Sequence, residues 1–526
     1  MDTLLNESIN SFIQSVKRYY LSNKLNSDKS NGYTLLSGSL FEYGPTYALR
    51  VGSISNTISE ITNTIPLVVF DNSNTEINKI NISSAFNVNN YIGMNNEIKP
   101  KINSFCIKIL TNLYFYFSKF LLLTKQYKIF RLLSYSNIVF GDLIYDEYIK
   151  NNPYKNYTLI RFEKKDKSYF KNTFYNIFSY KYIMKHYKIK YFVTTHSQYI
   201  WGGIPTRYFY KKNAIVFETT DDMLFIYDKY YNNIPKYHNY INYKISKSNN
   251  IVNSQDLLKT LDNLKFRFSG KLEQIDVKLA YGDKKIYSIE DFKNELNINN
   301  DFPIVFILAH IFSDAPCGLS DFQVFPDYYS WLKQTIEIIK NIQNVNWIVK
   351  EHPSVNAYNE QGIVQKLIDN TNSKNVNLCP SDFSTASLIN IANLIITAQG
   401  TAGIEYSCMG IPVIITSKAF YSGNNFTIEP KTVSKYKKLL KNICLIKPLN
   451  EKQKNDALRI YNIFNRLQNK DFLLIDTTIK NMIWGSSVPQ DTPGAFNLMA
   501  DRLKEINPNE MYFIKQVKDY FKENNL

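Results

Sequence analysis

The stretch Leu394-Ile-Ile-Thr-Ala-Gln-Gly-Thr-Ala-Gly-Ile-Glu-Tyr-Ser-Cys-Met-Gly-Ile-Pro-Val-Ile-Ile415 carries the strongest architectural information in this chain. A β-branched apolar run ends at Thr397 and a loop of small residues follows. A helical pattern opens near Thr401, and Gly410-Ile411-Pro412 stops it before a second β-branched run. Strand, short loop, helix and strand in this order form one repeat of a doubly wound parallel α/β sheet. The loop also has the composition of a phosphate cradle. Gly400 and Gly403 allow close backbone approach, and Gln399, Gly400, Thr401 and Ala402 lead into a helix whose free N–H groups and positive end attract anions. Glu405, one turn inside, is expected to point back to the loop and accept hydrogen bonds from a ribose diol. The competing structural reading is a tight αβ junction with an ordinary glutamate.

The same texture recurs on both sides. Pro303–Leu308, Asn346–Val349, Asn375–Leu378, Leu394–Ile396 and Pro412–Ile415 form one series of short apolar runs, with helical patterns at Tyr328–Ile342 and Ser384–Ala392 between them. Ile65–Phe70, Asn137–Phe140, Tyr191–Thr195 and Ala214–Phe217 form an earlier series of the same kind, the pattern of buried parallel strands. Two such series predict two Rossmann-like units whose ligands bind at the carboxyl ends of the strands. The expected organisation is a helical extension over 1–60, with an amphipathic stretch at Leu4–Tyr20, and a first unit over 61–297. A second unit over 298–450 begins at the polar stretch Asn297–Asp301, and a helical tail over 451–526 packs back on the domains.

Composition sets outer bounds. With 526 residues, 44% hydrophobic and 21% charged, the chain is globular and long enough for two cores. The five cysteines lack metal-ligand spacing and their odd number argues against a disulfide framework. The first residues have no basic segment leading into an apolar one, so a cytoplasmic location is expected. The net charge of +16 favours anionic partners, including peripheral contact with the inner face of a membrane. The apolar run Leu110–Leu123 is interrupted by Lys119 and falls short of the ~20 residues a bilayer span needs, which predicts a buried or interfacial helix. The aromatic residues follow core patterns rather than alternating with Arg and Lys, which disfavours nucleic-acid binding.

Polar residues at the strand ends are the candidate site. Lys350 and His352, in Trp347-Ile-Val-Lys-Glu-His-Pro-Ser354, follow one strand, and either can stabilise phosphate oxygens as a glycosidic bond breaks. His310 and Ser313 follow another strand, in Ile307-Leu-Ala-His-Ile-Phe-Ser-Asp314. In the first half, Gly141-Asp-Leu-Ile-Tyr-Asp146 sets Asp142 and Asp146 on one helical face. One of the two is expected to deprotonate the acceptor hydroxyl or attack the anomeric carbon, and the competing reading is a capping aspartate plus a solvated one. His196, Tyr199 and Arg207, after the strand ending at Thr195, are expected to line the acceptor side.

Four pieces of the second half, Lys350-Glu-His-Pro353, Gln399-Gly-Thr-Ala-Gly-Ile-Glu405, Gly410-Ile-Pro-Val413 and Ala419-Phe-Tyr-Ser-Gly-Asn-Asn-Phe-Thr427, resemble segments of the capsule polysaccharide biosynthesis proteins that transfer Kdo. The last departs from that family's Pro-Phe-Tyr-x-Gly-Trp-Gly-x-Thr at Ala419 and at Asn424-Asn425. The resemblance implies a GT-B glycosyltransferase of capsule or lipopolysaccharide assembly. It implies a CMP-activated sugar donor, a glycan or lipid-linked acceptor, and no cofactor or metal. It puts His352 on the donor phosphate, Gln399 to Thr401 around it, Glu405 on the ribose and Tyr421 on the donor side. Three other readings share the fold or the surface: a CDP-alditol phosphotransferase of the teichoic-acid type, a non-hydrolysing UDP-sugar epimerase, and a non-catalytic scaffold of a polysaccharide assembly.

Overall fold

The computed structural model describes residues 2–20, 30–38, 44–71, 77–152, 157–220, 223–248, 252–271, 279–282, 284–299, 301–373, 375–468 and 493–525. The chain divides into two compact units. One is formed by residues 1–144, 161–235 and 468–526, the other by 145–160 and 236–467.

In the first unit, β1 (Tyr33–Ser37), β2 (Ile65–Phe70), β3 (Asn90–Gly93), β6 (Ile189–Thr194), β7 (Ile215–Thr219) and β8 (Leu224–Tyr227) form a sheet in the order β3-β2-β1-β6-β7-β8. All neighbours run parallel except β7 and β8. Between β3 and β6 lies a separate antiparallel hairpin of β4 (Ser134–Tyr135) and β5 (Ile138–Val139).

Two expectations are corrected here. The segment 1–60 is not an extension, because β1 lies in the middle of the sheet. Its signal was faint, since only Leu35 and Leu36 are strongly apolar. Thr34, Leu35 and Leu36 are nevertheless all buried, and the Thr34 hydroxyl is satisfied by Thr64 Oγ1 at 2.6 Å. The run Asn137–Phe140 supplies no strand to the six-stranded sheet, since its Ile138–Val139 pairs with Ser134–Tyr135 instead. Ser136 and Asn137 both take positive φ, 50° and 64°, the geometry of a two-residue hairpin turn, so the chain doubles back at once.

Phe12, Leu36, Ile54, Val68, Phe86, Phe217, Phe496 and Phe521 share the first core. Helix Asp2–Tyr20 lies against helix Pro493–Glu505, where the Phe12 and Phe496 rings meet edge-on at 5.6 Å. Helix Pro45–Thr62 lies against Tyr512–Glu523. The tail is therefore divided. Helix Glu451–Leu467 packs on Ala402–Cys408 in the second unit, 493–523 complete the first, and 469–492 lie outside the described residues, as does Asn300 of the expected linker. The apolar helix is longer than the run suggested. Asn103 Oδ1 accepts from the Phe105 and Cys106 amides and starts it early, giving Ser104–Leu123, 20 residues.

In the second unit, β9 (Ile304–Leu308), β10 (Asn346–Lys350), β11 (Val376–Leu378), β12 (Leu394–Thr397), β13 (Val413–Ile415) and β14 (Thr427–Ile428) form an all-parallel sheet in the order β11-β10-β9-β12-β13-β14. Counted within each six-stranded sheet, both orders read 3-2-1-4-5-6, the Rossmann order, and two such units are the expected make-up of the GT-B class. The order reverses between β1 and β6 in one sheet and between β9 and β12 in the other, and the crevice at such a reversal is where open α/β sheets bind ligands.

A chain beginning at residue 61 is expected to lose the cooperative unfolding of the first unit. Leu36→Ala, in the full chain, should lower its stability by about 2–5 kcal/mol. Denaturant melts followed by circular dichroism check both, and a truncated chain that melts like the whole protein would restore the extension reading.

Candidate functional site

At the reversal in the second sheet, β9 exits through Ala309-His310 and β12 through Ala398-Gln399-Gly400. His310 joins the two exits. Its Nε2 accepts from the Gln399 amide at 3.3 Å and pairs with Thr397 Oγ1 at 3.0 Å, and its ring stacks on Tyr328 at 4.4 Å. Burial, with the charges of His352 and His238, lowers its pKa to about 3, so the ring is neutral and carries its proton on Nδ1. Gln399 turns inward as well. Its Oε1 accepts from Ser320 Oγ at 3.0 Å and its Nε2 donates to the Tyr328 hydroxyl.

The two glycines make room for the protein's own groups. A Cβ on Gly400 would come 3.1 Å from Thr397 Oγ1 and 3.5 Å from His310 Cε1, and one on Gly403 would collide with the Tyr421 hydroxyl. That hydroxyl donates to the Gly400 carbonyl at 2.6 Å, so Tyr421, expected on the donor, instead braces the loop. The amides of Gly403, Ile404 and Glu405 are engaged by the carbonyls of Gly400 and Thr401. What the loop can offer an anion is accordingly the solvent-facing run Gly400, Thr401 and Ala402.

Glu405 is also corrected. It is buried, with Oε1 taking Arg267 Nε at 3.0 Å and Oε2 the Tyr281 hydroxyl at 3.4 Å, so its first role is an ion pair rather than an open ribose acceptor. Ser313 donates its hydroxyl to Glu360 Oε1 at 2.6 Å, and the Phe312 and Ser313 amides bind the same carboxylate. At the end of β10 the half-buried His352 accepts the Ser354 amide on Nδ1 at 3.1 Å, which leaves the proton on Nε2, the nitrogen able to donate to a phosphate. Lys350 is buried, and its pKa is lowered chiefly by desolvation, with Lys284 adding repulsion and the Cys379 side chain acting the other way.

The aspartates expected to do chemistry are both held by other protein groups. Asp142 grips Arg207 with both oxygens, at 2.6 and 2.8 Å, and each side chain is nearly fully buried. Arg207 also donates to the Val139 carbonyl at 2.9 Å, so it ties the hairpin to helix Tyr199–Lys211 instead of facing an acceptor. Asp146, in the second unit, is fully buried and accepts the Cys317 and Gly318 amides at 2.9 and 2.6 Å.

His196 remains a candidate. It follows β6 at the reversal in the first sheet, half-buried, bonded through Nδ1 to Thr195 Oγ1 at 2.8 Å and flanked by Tyr47 and Trp201. Tyr199 is buried and opens the next helix at φ 57°, a strained conformation for an aromatic residue and one that recurs near functional sites.

Sequence reasoning missed Glu218 of β7. Burial raises its pKa from 4.5 to about 7, against hydrogen bonds from Tyr227 and Ser197 that favour the charged form. An acidic residue inside the run Ile215–Thr219 was the available signal. Glu360 and Arg267 gave none, because their partners are remote in sequence. Among the described residues, no group of three or more His, Cys, Asp or Glu is close enough to hold a metal ion.

Two outcomes follow for the first unit. Because the folded pKa of Glu218 lies above its unfolded value, its protonated form adds stability below pH ~4.5 that is lost as pH rises through about 7. The unfolding free energy should therefore fall by on the order of 1–3 kcal/mol across that window relative to Glu218→Gln, as measured by denaturant titrations at several pH values. Asp142→Asn, which weakens a buried bidentate pair, should cost about 3 kcal/mol or more in the same assay.

The chain has no match among curated proteins. Among solved structures it is similar to Thermosulfurimonas dismutans KpsC, a beta Kdo 2,7 transferase, at 12% identity over 54% of this chain and 79% of that one, TM-score 0.30. It is also similar to a glycosyltransferase from Rickettsia africae ESF-5 at 13% identity over 87% and 100%, TM-score 0.27. A third likeness is to UDP-GlcNAc 2-epimerase from Neisseria meningitidis, at 11% over 85% and 99%, TM-score 0.26. Likenesses this remote bear on neither substrate nor mechanism. The family model described as Capsule polysaccharide biosynthesis protein matches residues 277–441, a span that contains every strand from β9 to β14 and none of the first unit. Residues 277–441 are thus similar to the capsule polysaccharide biosynthesis proteins, as the motifs in this stretch led us to expect.

Proposed function

We propose that the protein is a glycosyltransferase of bacterial surface polysaccharide assembly, using a CMP-activated, Kdo-like donor and a glycan or lipid-linked acceptor. The observation that carries this reading is the coincidence of the family match with the second sheet's reversal point, where His310, the Gly400–Ala402 run and His352 follow strand ends. In this reading His352 Nε2 donates to the donor phosphate, and the amides of Gly400 to Ala402 take its remaining oxygens. Lys350 supplies a nearby positive charge.

The bond from the anomeric carbon to the phosphate oxygen breaks with its electron pair staying on CMP, and the acceptor oxygen forms the new bond. The acceptor's proton passes to a general base or to water.

Calorimetry of the full chain with CMP, CDP, UDP and GDP, with and without EDTA, tests the reading. CMP should bind selectively and survive EDTA. His352→Ala should lose about tenfold in affinity, the size of one hydrogen bond to a charged group. Preference for UDP or CDP would redirect the donor to a diphosphate, and a folded protein that binds no nucleotide would overturn the proposal.

A further inference from the structure

Helix Ser104–Leu123 presents an apolar stripe that no described part of the chain covers. Phe105, Ile109, Leu113, Tyr116, Phe120 and Leu123 recur every three or four residues and are all exposed, Leu123 to 77%. Exposed Ile129 and Leu132, from the short helix Tyr127–Arg131 and the residue after it, follow directly in the chain. The opposite stripe, Ile107, Thr111, Phe115, Ser118 and Leu122, is buried. It packs against helix Lys167–His186, where Phe115 meets Phe170 at 5.8 Å. An exposed apolar face of this extent on a folded unit marks an interaction surface.

Charge says what kind of partner it fits. From Ile98 to Gly141 the chain has no Asp or Glu, whereas Lys108, Lys119, Lys125, Lys128 and Arg131 all fall in this stretch. A second copy would bring two sets of like charges together. A bilayer surface with anionic headgroups answers both features at once, phosphates for the cations and acyl chains for the stripe. The helix is long enough to cross a membrane and its mean hydropathy is 1.3, but a third of it is buried. Spanning would strip Phe115 and its neighbours from their packing, and would carry Lys108 and Lys119 into hydrocarbon.

We propose that this face lies flat in the interface of an anionic bilayer, with Phe105 to Leu123 seated among the acyl chains and the flanking cations on the headgroups. The inference is independent of the donor chemistry proposed above, because it rests on residues outside the second unit.

Sedimentation of the full chain with phosphatidylglycerol-containing vesicles, against vesicles of pure phosphatidylcholine, tests it. Binding should be at least about tenfold tighter to the anionic vesicles and should weaken with salt. Leu113→Ser with Phe120→Ser should reduce vesicle affinity about tenfold while thermal unfolding and CMP binding stay unchanged. Lys125→Gln with Lys128→Gln should reduce it about fivefold and flatten the salt dependence.

Three results would overturn the proposal. The serine variant is expected to lose binding, so equal binding by variant and wild type is the first. A wild type that ignores vesicles but turns from dimer to monomer on the serine substitutions is the second, assigning the face to self-association. Protein that resists extraction from the vesicles at alkaline pH is the third, pointing to a span.

Discussion

A chain leaving a buried strand must find acceptors for the amides it takes with it, and the exit of β9 meets this constraint with two carboxylates. Glu360 takes the amides of Phe312 and Ser313, and Asp146 takes those of Cys317 and Gly318. They lie 48 and 171 residues from their partners, at Phe312 and Cys317 respectively. A buried amide without an acceptor costs about 1–3 kcal/mol, so this segment has its shape only where both acids are present. His310 stands at the start of the same exit, and its bond to the Gln399 amide couples that segment to the loop after β12.

The pattern continues through the second unit. Gln399 reaches Ser320 and Tyr328, Tyr421 braces the Gly400 carbonyl, and Arg267 holds Glu405. Most of the polar side chains near the reversal act on other protein groups. Their effect is to fix a short stretch of exposed backbone in one geometry. A site that binds a charged group through backbone amides depends on this, because amides give strong binding only when their directions are set in advance.

How far this was legible in the sequence follows from what each feature depends on. Strands β9, β10, β12 and β13 could be read because each is a buried apolar run with β-branched residues and turn residues at its ends, all of which is local, whereas β14, two half-buried residues, went unread. β1 could not, since five residues with two strong apolars become a central strand only through their neighbours. The spacing of Asp142 and Asp146 correctly set them on one helix, Gly141–Asn151. Their roles turned on Arg207 and on the Cys317 and Gly318 amides, which spacing does not reveal. Strand-end position correctly set His310, Gly400 and His352 at one edge of the second sheet, because topology alone brings strand ends there. Glu218 was visible as an acid within an apolar run and went unread.

The helix pairing that closes the first core has a consequence for how the protein is made. Phe12 meets Phe496, the Tyr19 hydroxyl donates to the Leu503 carbonyl, and Tyr191 meets Phe521, so that core draws on both ends of the chain. Every residue assigned to the second unit has been synthesised once the ribosome passes Leu467, and that unit can fold while translation continues. The first unit, although its strands emerge earlier, must hold an open apolar surface until residues beyond 493 arrive. Its folding is thus governed by sequence separation rather than by order of emergence, and the half of the protein that is translated first is the half that folds last.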